Sequence, residues 1–363
     1  MKLLILVADY PRPDGYIALM YVHVRNKYYI NHNIEVTVLN FNAKENYTID
    51  GIPVITLENY KNNQEKMYDI LICHAPNIRN HYRFLKKYEK NFSKLVFFFH
   101  GHEVLRINAT YPKPYAFQEK LSIIKTNLQD LYDSIKLKIW HKYYVKLAYK
   151  SHFVFVSKWI YNEFLHWTKI NSSILEGKYS IIHNGVGQVF EDNGYKLEVE
   201  KLYDFVTIRN NMDRPSYCLD IVNELAHNNP DLKFLLIGRG KFFDYVKKSD
   251  NITWINDVLS HKEIIDLLNK SRCGLLPTRQ DTQGVMSCEM ATFGLPLITS
   301  DIKICHEILG DFENVQFINN GNTAIDLKPI LEKITKQVPY EKNVKYFLDN
   351  TCGAEIKLYK NIL

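Results

Sequence analysis

The chain has 363 residues, 46% hydrophobic and 24% charged, a composition that excludes a disordered chain and a small scaffold stapled by disulfides or metal. At roughly 150 residues per domain that length predicts two domains. Lysine and arginine total 46 against 40 acidic residues, net +6, which suits an anionic ligand or an anionic membrane face and is too slight to argue for nucleic acid. The longest apolar runs, Leu3–Ala8 and Ile17–Val22, fall far short of the roughly 20 residues a spanning helix needs. The first run meets Asp9-Tyr10-Pro11 with no small-residue cleavage site, so it is not read as a signal peptide. Six scattered cysteines, none in a CxxC pair, read as buried or semi-buried free thiols in a reducing compartment.

The opening KLLILVADY predicts a buried parallel strand that ends in the polar turn PRPDGY. Five further apolar runs repeat the pattern, IEVTVLNF, YDILICHAP, KLVFFFHGHE, SHFVFVS and YSIIHNG, with helix-compatible stretches between most of them. The polar segment VFEDNGYKLEVEKLY reads as a linker. A second series follows it: YDFVTIR, LKFLLIGRG, NITWIND, RCGLLPT and LPLITSD, separated by helical patterns such as CLDIVNELAHN. Alternating strands and helices imply two doubly wound α/β domains, 1–190 and 191–344, with a tail helix at about 345–363 packing back on the first. Ligands in such sheets bind at the carboxyl ends of the strands, so two domains create a cleft between those ends. The residues to watch are those just after the runs: Asp9–Gly15, His100–Glu103, Asn184-Gly185, Arg209–Arg214, Gly238–Gly240 and Asp281–Glu289.

One stretch breaks the rhythm. Leu121, Ile124, Leu128, Leu131, Ile135, Ile139, Tyr143 and Leu147 recur at helical spacing, with Lys120, Lys125, Lys136, Lys138, Lys142, Lys146 and Lys150 around them. Region 120–150 reads either as an ordinary helix with its stripe packed on the sheet, the commoner case, or as a basic amphipathic surface resting on an anionic membrane.

The densest constellation is Gly274–Asp301. Its spacing predicts a strand ending at Pro277, a loop with Asp281 and Gly284, and a helix from Val285 to Phe293-Gly294 carrying Glu289. A helix N-terminus offers free N–H groups to a phosphate, and carboxylates at its mouth can accept hydrogen bonds from vicinal hydroxyls.

This constellation resembles the acidic motif of glycosyltransferase family 4, the retaining family with the GT-B fold: strand, Pro, an acidic residue, Gly, then Glu, Ala, Gly and Pro, here Pro277, Asp281, Gly284, Glu289, Ala291, Gly294 and Pro296. Asp281 stands where the family usually has Glu. The resemblance implies that Asp281 and the backbone at Gln283, Gly284 and Val285 contact the donor sugar, and that Glu289 holds the ribose. It also implies that Arg209 and Arg214, in FVTIRNNMDRPS, grip the donor diphosphate. His100, in FFFHGHE, then lies beside the donor sugar on the acceptor side, with Glu103 in the motif's acidic position. Gly15 matches the N-terminal glycine loop, Gly238 the turn near the nucleotide, and Trp254 with Ile255 the base pocket.

The function implied is retaining transfer of a sugar from a nucleotide diphosphate sugar to a hydroxyl of a glycan or lipid-linked acceptor, in surface polysaccharide synthesis in the cytoplasm or at the inner membrane face. No metal, no further cofactor and no nucleic acid are expected. A nucleotide-sugar 2-epimerase and a non-catalytic sugar-nucleotide-binding subunit stay open as alternatives. A dinucleotide oxidoreductase ranks last, because no GxGxxG follows the first strand, and the absence of GxxxxGK[ST] argues against a P-loop kinase.

Overall fold

The computed structural model describes residues 1–63, 67–118 and 123–363. It divides into two compact units, Met1–Ile107 with Leu128–Gly185 and Phe347–Leu363, and Asn108–Asn127 with Val186–Tyr346. The division therefore falls between Gly185 and Val186 rather than at 190/191. The excursion Asn108–Asn127, which no sequence pattern announced, belongs with the second unit.

In the first unit the apolar runs form strands because β-branched and aromatic side chains fit a sheet covered on both faces. They are β1 (Lys2–Val7), β2 (Glu35–Asn40), β3 (Tyr47–Ile49), β4 (Ile52–Ile55), β5 (Ile70–His74), β6 (Lys94–Phe99), β7 (Ser151–Phe155) and β8 (Tyr179–Ile181). The sheet order is β3-β4-β2-β1-β5-β6-β7-β8, parallel throughout except for the β3–β4 pair. Strand order reverses between β1 and β5. The short strands β3 and β4 were not expected. The tail helix Cys352–Ile362 packs on the first helix, Met20–Asn31, through a buried ion pair: Arg25 Nε donates to Glu355 Oε1 at 2.9 Å, and the Tyr29 hydroxyl donates to Glu355 Oε2. Such a pair is tolerable without water only because hydrogen bonds satisfy the carboxylate as well.

The helix Ile123–Leu147 carries the apolar stripe, of which Leu121 and Lys120 lie outside the described residues. The stripe splits. Tyr143 and Leu147 are buried, whereas Ile124, Leu128, Leu131 and Ile135 are 71%, 60%, 57% and 49% exposed. Among the lysines, Lys125, Lys138, Lys142 and Lys146 are exposed. Lys136 instead points inward, donating to His102 O, Leu105 O and Asp133 Oδ1, and Lys150 donates to Glu89. These two belong to the packing and not to a basic surface.

The second unit holds β9 (Tyr203–Asn211), β10 (Phe234–Arg239), β11 (Ile252–Ile255), β12 (Ser271–Leu276), β13 (Leu297–Ser300) and β14 (Val315–Ile318). The order is β11-β10-β9-β12-β13-β14 with every neighbour parallel, reversing between β9 and β12. The segment expected as a linker is pinned: Tyr195 N–H donates to Phe293 O at 2.9 Å, Tyr195 Oη to Ser271 O at 2.8 Å, and Lys196 N–H to Asn269 Oδ1 at 2.8 Å. The excursion seats itself on this unit through Tyr115 Oη, which donates to Asp220 Oδ1 at 2.9 Å, Gln118 Nε2, which donates to Asp213 O at 2.6 Å, and Phe117, stacked on Tyr245 at 4.7 Å.

All six cysteines are buried and none forms a disulfide. Among the described residues no helix is long and apolar enough to cross a membrane.

Candidate functional site

In an open parallel sheet the crevice lies where strand order reverses, at the carboxyl ends of the strands. In the second unit that point is the gap between the ends of β9 and β12, and the chain joins them there. Arg209, near the end of β9, is buried and donates from Nη2 to Pro277 O, just past β12, at 2.8 Å. Its Nε is buried with no partner. Its guanidinium lies 4.8 Å from the Tyr217 ring centroid, and that of Arg214, exposed, lies 6.0 Å from the same centroid. One aromatic ring thus carries two cations that, among the described residues, no carboxylate pairs. Such a pair attracts a polyanion.

The loop under them is held by groups that no local pattern announces. Thr278 Oγ1 and Arg279 N–H both donate to Ser216 O, at 2.9 and 3.0 Å, and Arg279 Nη1 donates to Pro215 O and Asp220 Oδ1. Burial pushes the Asp220 carboxyl up, but the Arg279 guanidinium brings it below its ordinary range overall. Gly238, next to last in β10, has φ +144°, and a Cβ there would lie 1.7 Å from Arg209 O, so only glycine allows β10 to approach the arginine this closely. Trp254 Nε1 donates to Gly238 O at 3.0 Å, and Trp254 and Ile255, at the end of β11, are half-buried.

The helix Val285–Phe293 starts from Gly284, whose φ of +68° turns the chain without side-chain cost, and ends at Gly294. Asp281 folds back onto this start. Its Oδ1 accepts from the N–H groups of Thr282, Gln283 and Gly284 at 2.7, 3.2 and 2.7 Å. Those three amides are therefore occupied by the protein itself, and the amides left over are the ones a helix cannot pair in its first turn, at Val285, Met286 and Ser287. The Gln283 side chain is buried against Cys288, with Nε2 3.9 Å from Sγ, so the chain turns it away from any ligand at the loop's surface. Glu289 is buried with one hydrogen bond to its carboxylate, from Gly187 N–H at 3.3 Å. Burial, without a cation beside it, pushes its carboxyl up to about 7. The three charged groups share one neighbourhood: Asp281 and Arg209 both act on the Cys305 thiol, and Asp281 and Glu289 both act on that of Cys288.

In the first unit the reversal lies between β1 and β5. Gly15 sits in the exposed loop after β1, its N–H donating to Arg12 O at 3.1 Å. His100 follows β6, with Tyr21 against its face, ring centroids 4.5 Å apart. Its Nε2 lies 3.1 Å from Nδ1 of His74, the last residue of β5. Glu103 does not face outward: it is buried, and its Oε1 accepts from the N–H groups of His100 and of Gly101. Burial raises its carboxyl. Glu103 shapes the loop that carries His100, as Asp281 shapes the loop before Val285. Among the described residues, no three His, Cys, Asp or Glu side chains are grouped to hold a metal ion.

Sequence reasoning did not single out His74, Tyr217, Asp220, Arg279 or Tyr115. His74 had a legible signal, since YDILICHAP ends in histidine just as KLVFFFHGHE does. Asp220, Arg279 and Tyr115 act on one another from positions far apart in the chain.

Residues 205–334 match a protein family described as Glycosyl transferases group 1. No curated protein matches the sequence. Solved structures match over nearly the whole chain. Sucrose-phosphate synthase from Thermosynechococcus elongatus is 11% identical, with a TM-score of 0.70 and coverage of 99% of this chain and 98% of that one. A glycosyltransferase from Rickettsia africae is 14% identical, with a TM-score of 0.69 and the same coverage, 99% and 98%. A trehalose-6-phosphate structure from E. coli, bound with UDP-2-fluoro glucose, is 11% identical, with a TM-score of 0.55 and coverage of 100% and 95%. The fold is that of GT-B glycosyltransferases, two α/β domains with parallel sheets. The family match together with these neighbours supports a glycosyltransferase that uses a nucleotide sugar.

Proposed function

We propose that this chain is a retaining, metal-independent glycosyltransferase of family 4 that moves a sugar from a nucleotide diphosphate sugar to a hydroxyl of a glycan or lipid-linked acceptor in surface polysaccharide synthesis. The observation that carries this reading is the pair of guanidiniums, Arg209 and Arg214, over the single Tyr217 ring at the strand reversal of the second unit. Two cations with free donors match the two phosphates of a departing nucleoside diphosphate, and each charge-assisted hydrogen bond is worth about 1.5–3 kcal/mol. The unpaired amides at the start of Val285–Phe293 add a positive dipole end. Glu289, with one hydrogen bond from the protein, has acceptor capacity left for the two ribose hydroxyls. Gly238, Trp254 and Ile255 would border the base.

In the proposed reaction the acceptor oxygen attacks the anomeric carbon from the face that the diphosphate leaves. The carbon–oxygen bond to the diphosphate breaks as the new glycosidic bond forms, and a donor phosphate oxygen takes the acceptor's proton. The protein supplies orientation and charge stabilisation of the leaving group. The second unit would take the donor.

The setting we propose is the cytoplasm, peripheral at the inner face of the membrane. The exposed residues Ile124, Leu128, Leu131 and Ile135, with Lys125, Lys138, Lys142 and Lys146 exposed on the same helix, support contact with an anionic lipid surface. Sedimentation with vesicles should show binding to phosphatidylglycerol mixtures and none to phosphatidylcholine alone.

The decisive experiment is a thermal-shift panel of UDP-, GDP-, ADP- and dTDP-sugars, since a ligand that binds the folded state raises apparent stability by mass action. One of these sugars should stabilise the chain, and NMR of the product formed with an acceptor should show the anomeric configuration of the donor. Conversion of the donor with no acceptor present would point instead to an epimerase. No shift with any nucleotide sugar would refute the proposal.

A further inference from the structure

The hydrogen bonds that the excursion Asn108–Asn127 makes beside Arg214 come from outside the matched family region, residues 205–334. The segment from Met212 to Cys218 joins β9 to the helix Leu219–Asn228 and carries Arg214 and Tyr217. It has little regular structure. Pro215–Tyr217 form one short turn, in which Tyr217 N–H donates to Arg214 O at 2.9 Å, and Cys218 follows in the left-handed region at φ +55°. A non-glycine residue keeps that conformation where its surroundings fix it.

The surroundings come from other parts of the same unit. Thr278 and Arg279, just past β12, hold the carbonyls of Ser216 and Pro215. Lys241 N–H, just past β10, donates to Asp213 Oδ1 at 2.8 Å. The excursion adds two further bonds. Gln118 Nε2 donates at 2.6 Å to Asp213 O, the carbonyl that adjoins Arg214. The orientation of this amide is settled, because Gln118 Oε1 accepts from Tyr115 N–H at 3.0 Å and Nε2 must then face the carbonyl. Gln118 N–H donates back to Tyr115 O at 3.0 Å, which closes a four-residue turn. Tyr115 reaches the far side of Arg214. Its hydroxyl donates to Asp220 Oδ1, which also accepts from Arg279 Nη1, at 2.9 Å each, and the same Nη1 donates to Pro215 O at 2.8 Å. One turn of the excursion thus holds the segment at Asp213 directly and at Pro215 through Asp220 and Arg279, on either side of Arg214.

Rings seat this turn. Tyr115 and Phe117 lie against Phe242 with centroids 5.0 and 5.7 Å away, and Phe117 stacks on Tyr245. Ring packing alone would serve an excursion that only covers apolar surface. Two polar side chains committed to the segment that carries Arg214 point to a further task. A loop that grips an anion loses conformational freedom, and a loop already held in place loses less.

We propose that Gln118 and Tyr115 are positioning residues for the donor diphosphate: acting through the segment and not on the ligand, they hold Arg214 beside the Tyr217 ring so that its guanidinium meets the phosphates already placed. The diphosphate rests on the glycosyltransferase reading; the hold on the segment does not.

The test uses Gln118→Leu, which keeps the bulk and loses the donor, and Tyr115→Phe, which loses the hydroxyl alone, both in the full-length chain. Amide hydrogen exchange without ligand reads the hold. The amides of Tyr217 and Cys218 should exchange about fivefold faster in each variant, the effect of one lost hydrogen bond, while those of Leu275 and Leu276 in buried β12 keep the wild-type rate. Unchanged rates at 217 and 218 overturn the proposal, and so does equal acceleration at 275 and 276, which marks a general loosening. Calorimetry with UDP, GDP, ADP and dTDP reads the consequence. For whichever of these binds the wild type, each variant should raise Kd about fivefold. In an Arg214→Ala background Gln118→Leu should add less than about twofold, since its effect runs through that guanidinium; a full fivefold there overturns the positioning role. Faster exchange at 217 and 218 in a chain that binds none of the four leaves the hold standing and refutes the glycosyltransferase reading instead.

Discussion

The strand ends of the two units are built from opposite chemistry. In the first, His74 and His100 are neutral, Glu103 is spent on its own loop, and the buried cation Arg25 is matched by Glu355. In the second, among the described residues, Arg209 and Arg214 pair with no carboxylate and Glu289 with no cation. One end is tuned to uncharged hydrogen bonding and the other to charge. On the proposed reading, the charged end of the second unit suits a dianionic leaving group.

The comparison breaks first at Arg209. Arg209→Ala should lower nucleoside diphosphate affinity by about 100-fold, the loss of one or two charge-assisted bonds, as measured by calorimetry. Arg214→Ala, at an exposed guanidinium, should cost about tenfold or less. Equal and small losses in both would erase the charged character assigned to the second unit.

Glu289 gives the next largest effect, through pH. Its folded carboxyl titrates at about 7 against an ordinary 4.5, so between those values the folded chain holds a proton that the unfolded chain has lost. Stability should therefore fall as pH rises through this window, by roughly 2–3 kcal/mol in all. Glu289→Gln should match the wild type near pH 4.5, exceed it at pH 8, and show no such slope in denaturant unfolding. Nucleotide-sugar affinity should move the other way in the wild type, strengthening from pH 6 to 8 as the carboxylate forms, and stay flat and weaker in the variant.

Asp281 offers the smallest and sharpest test. Asp281→Ala removes an acceptor from three amides and should cost about 1 kcal/mol, read from the melting temperature. Asp281→Asn keeps an acceptor there and should recover most of that stability. Transfer activity that also recovers in Asn would make Asp281 a cap alone; activity lost in both would give its carboxylate a part at the sugar.

Much of this was legible beforehand, and the reasons for the rest are physical. The long buried strands read clearly because a sheet covered on both faces requires apolar runs. The strands β3, β4 and β14 were missed because they are three or four residues long, with Pro53 inside β4 and polar Gln316 inside β14. The helix Val285–Phe293 was predicted at its bounds because glycines stand at both ends. Side-chain direction was less legible. Lys136, among the lysines around a stripe that could pack or face a membrane, and Glu103, set in the motif's acidic position, both turn inward to bond backbone groups. The Asp220–Arg279 pair could not be read at all, because its members are 59 residues apart in the chain.

The excursion Asn108–Asn127 has a practical consequence for anyone who would dissect the molecule. A fragment cloned from Val186 onward would lack Tyr115, Phe117 and Gln118, leaving Phe242 and Tyr245 uncovered and Asp220 one hydrogen bond short. The second unit is threaded through its neighbour's gene segment, and expressing it by itself means splicing that earlier stretch back in.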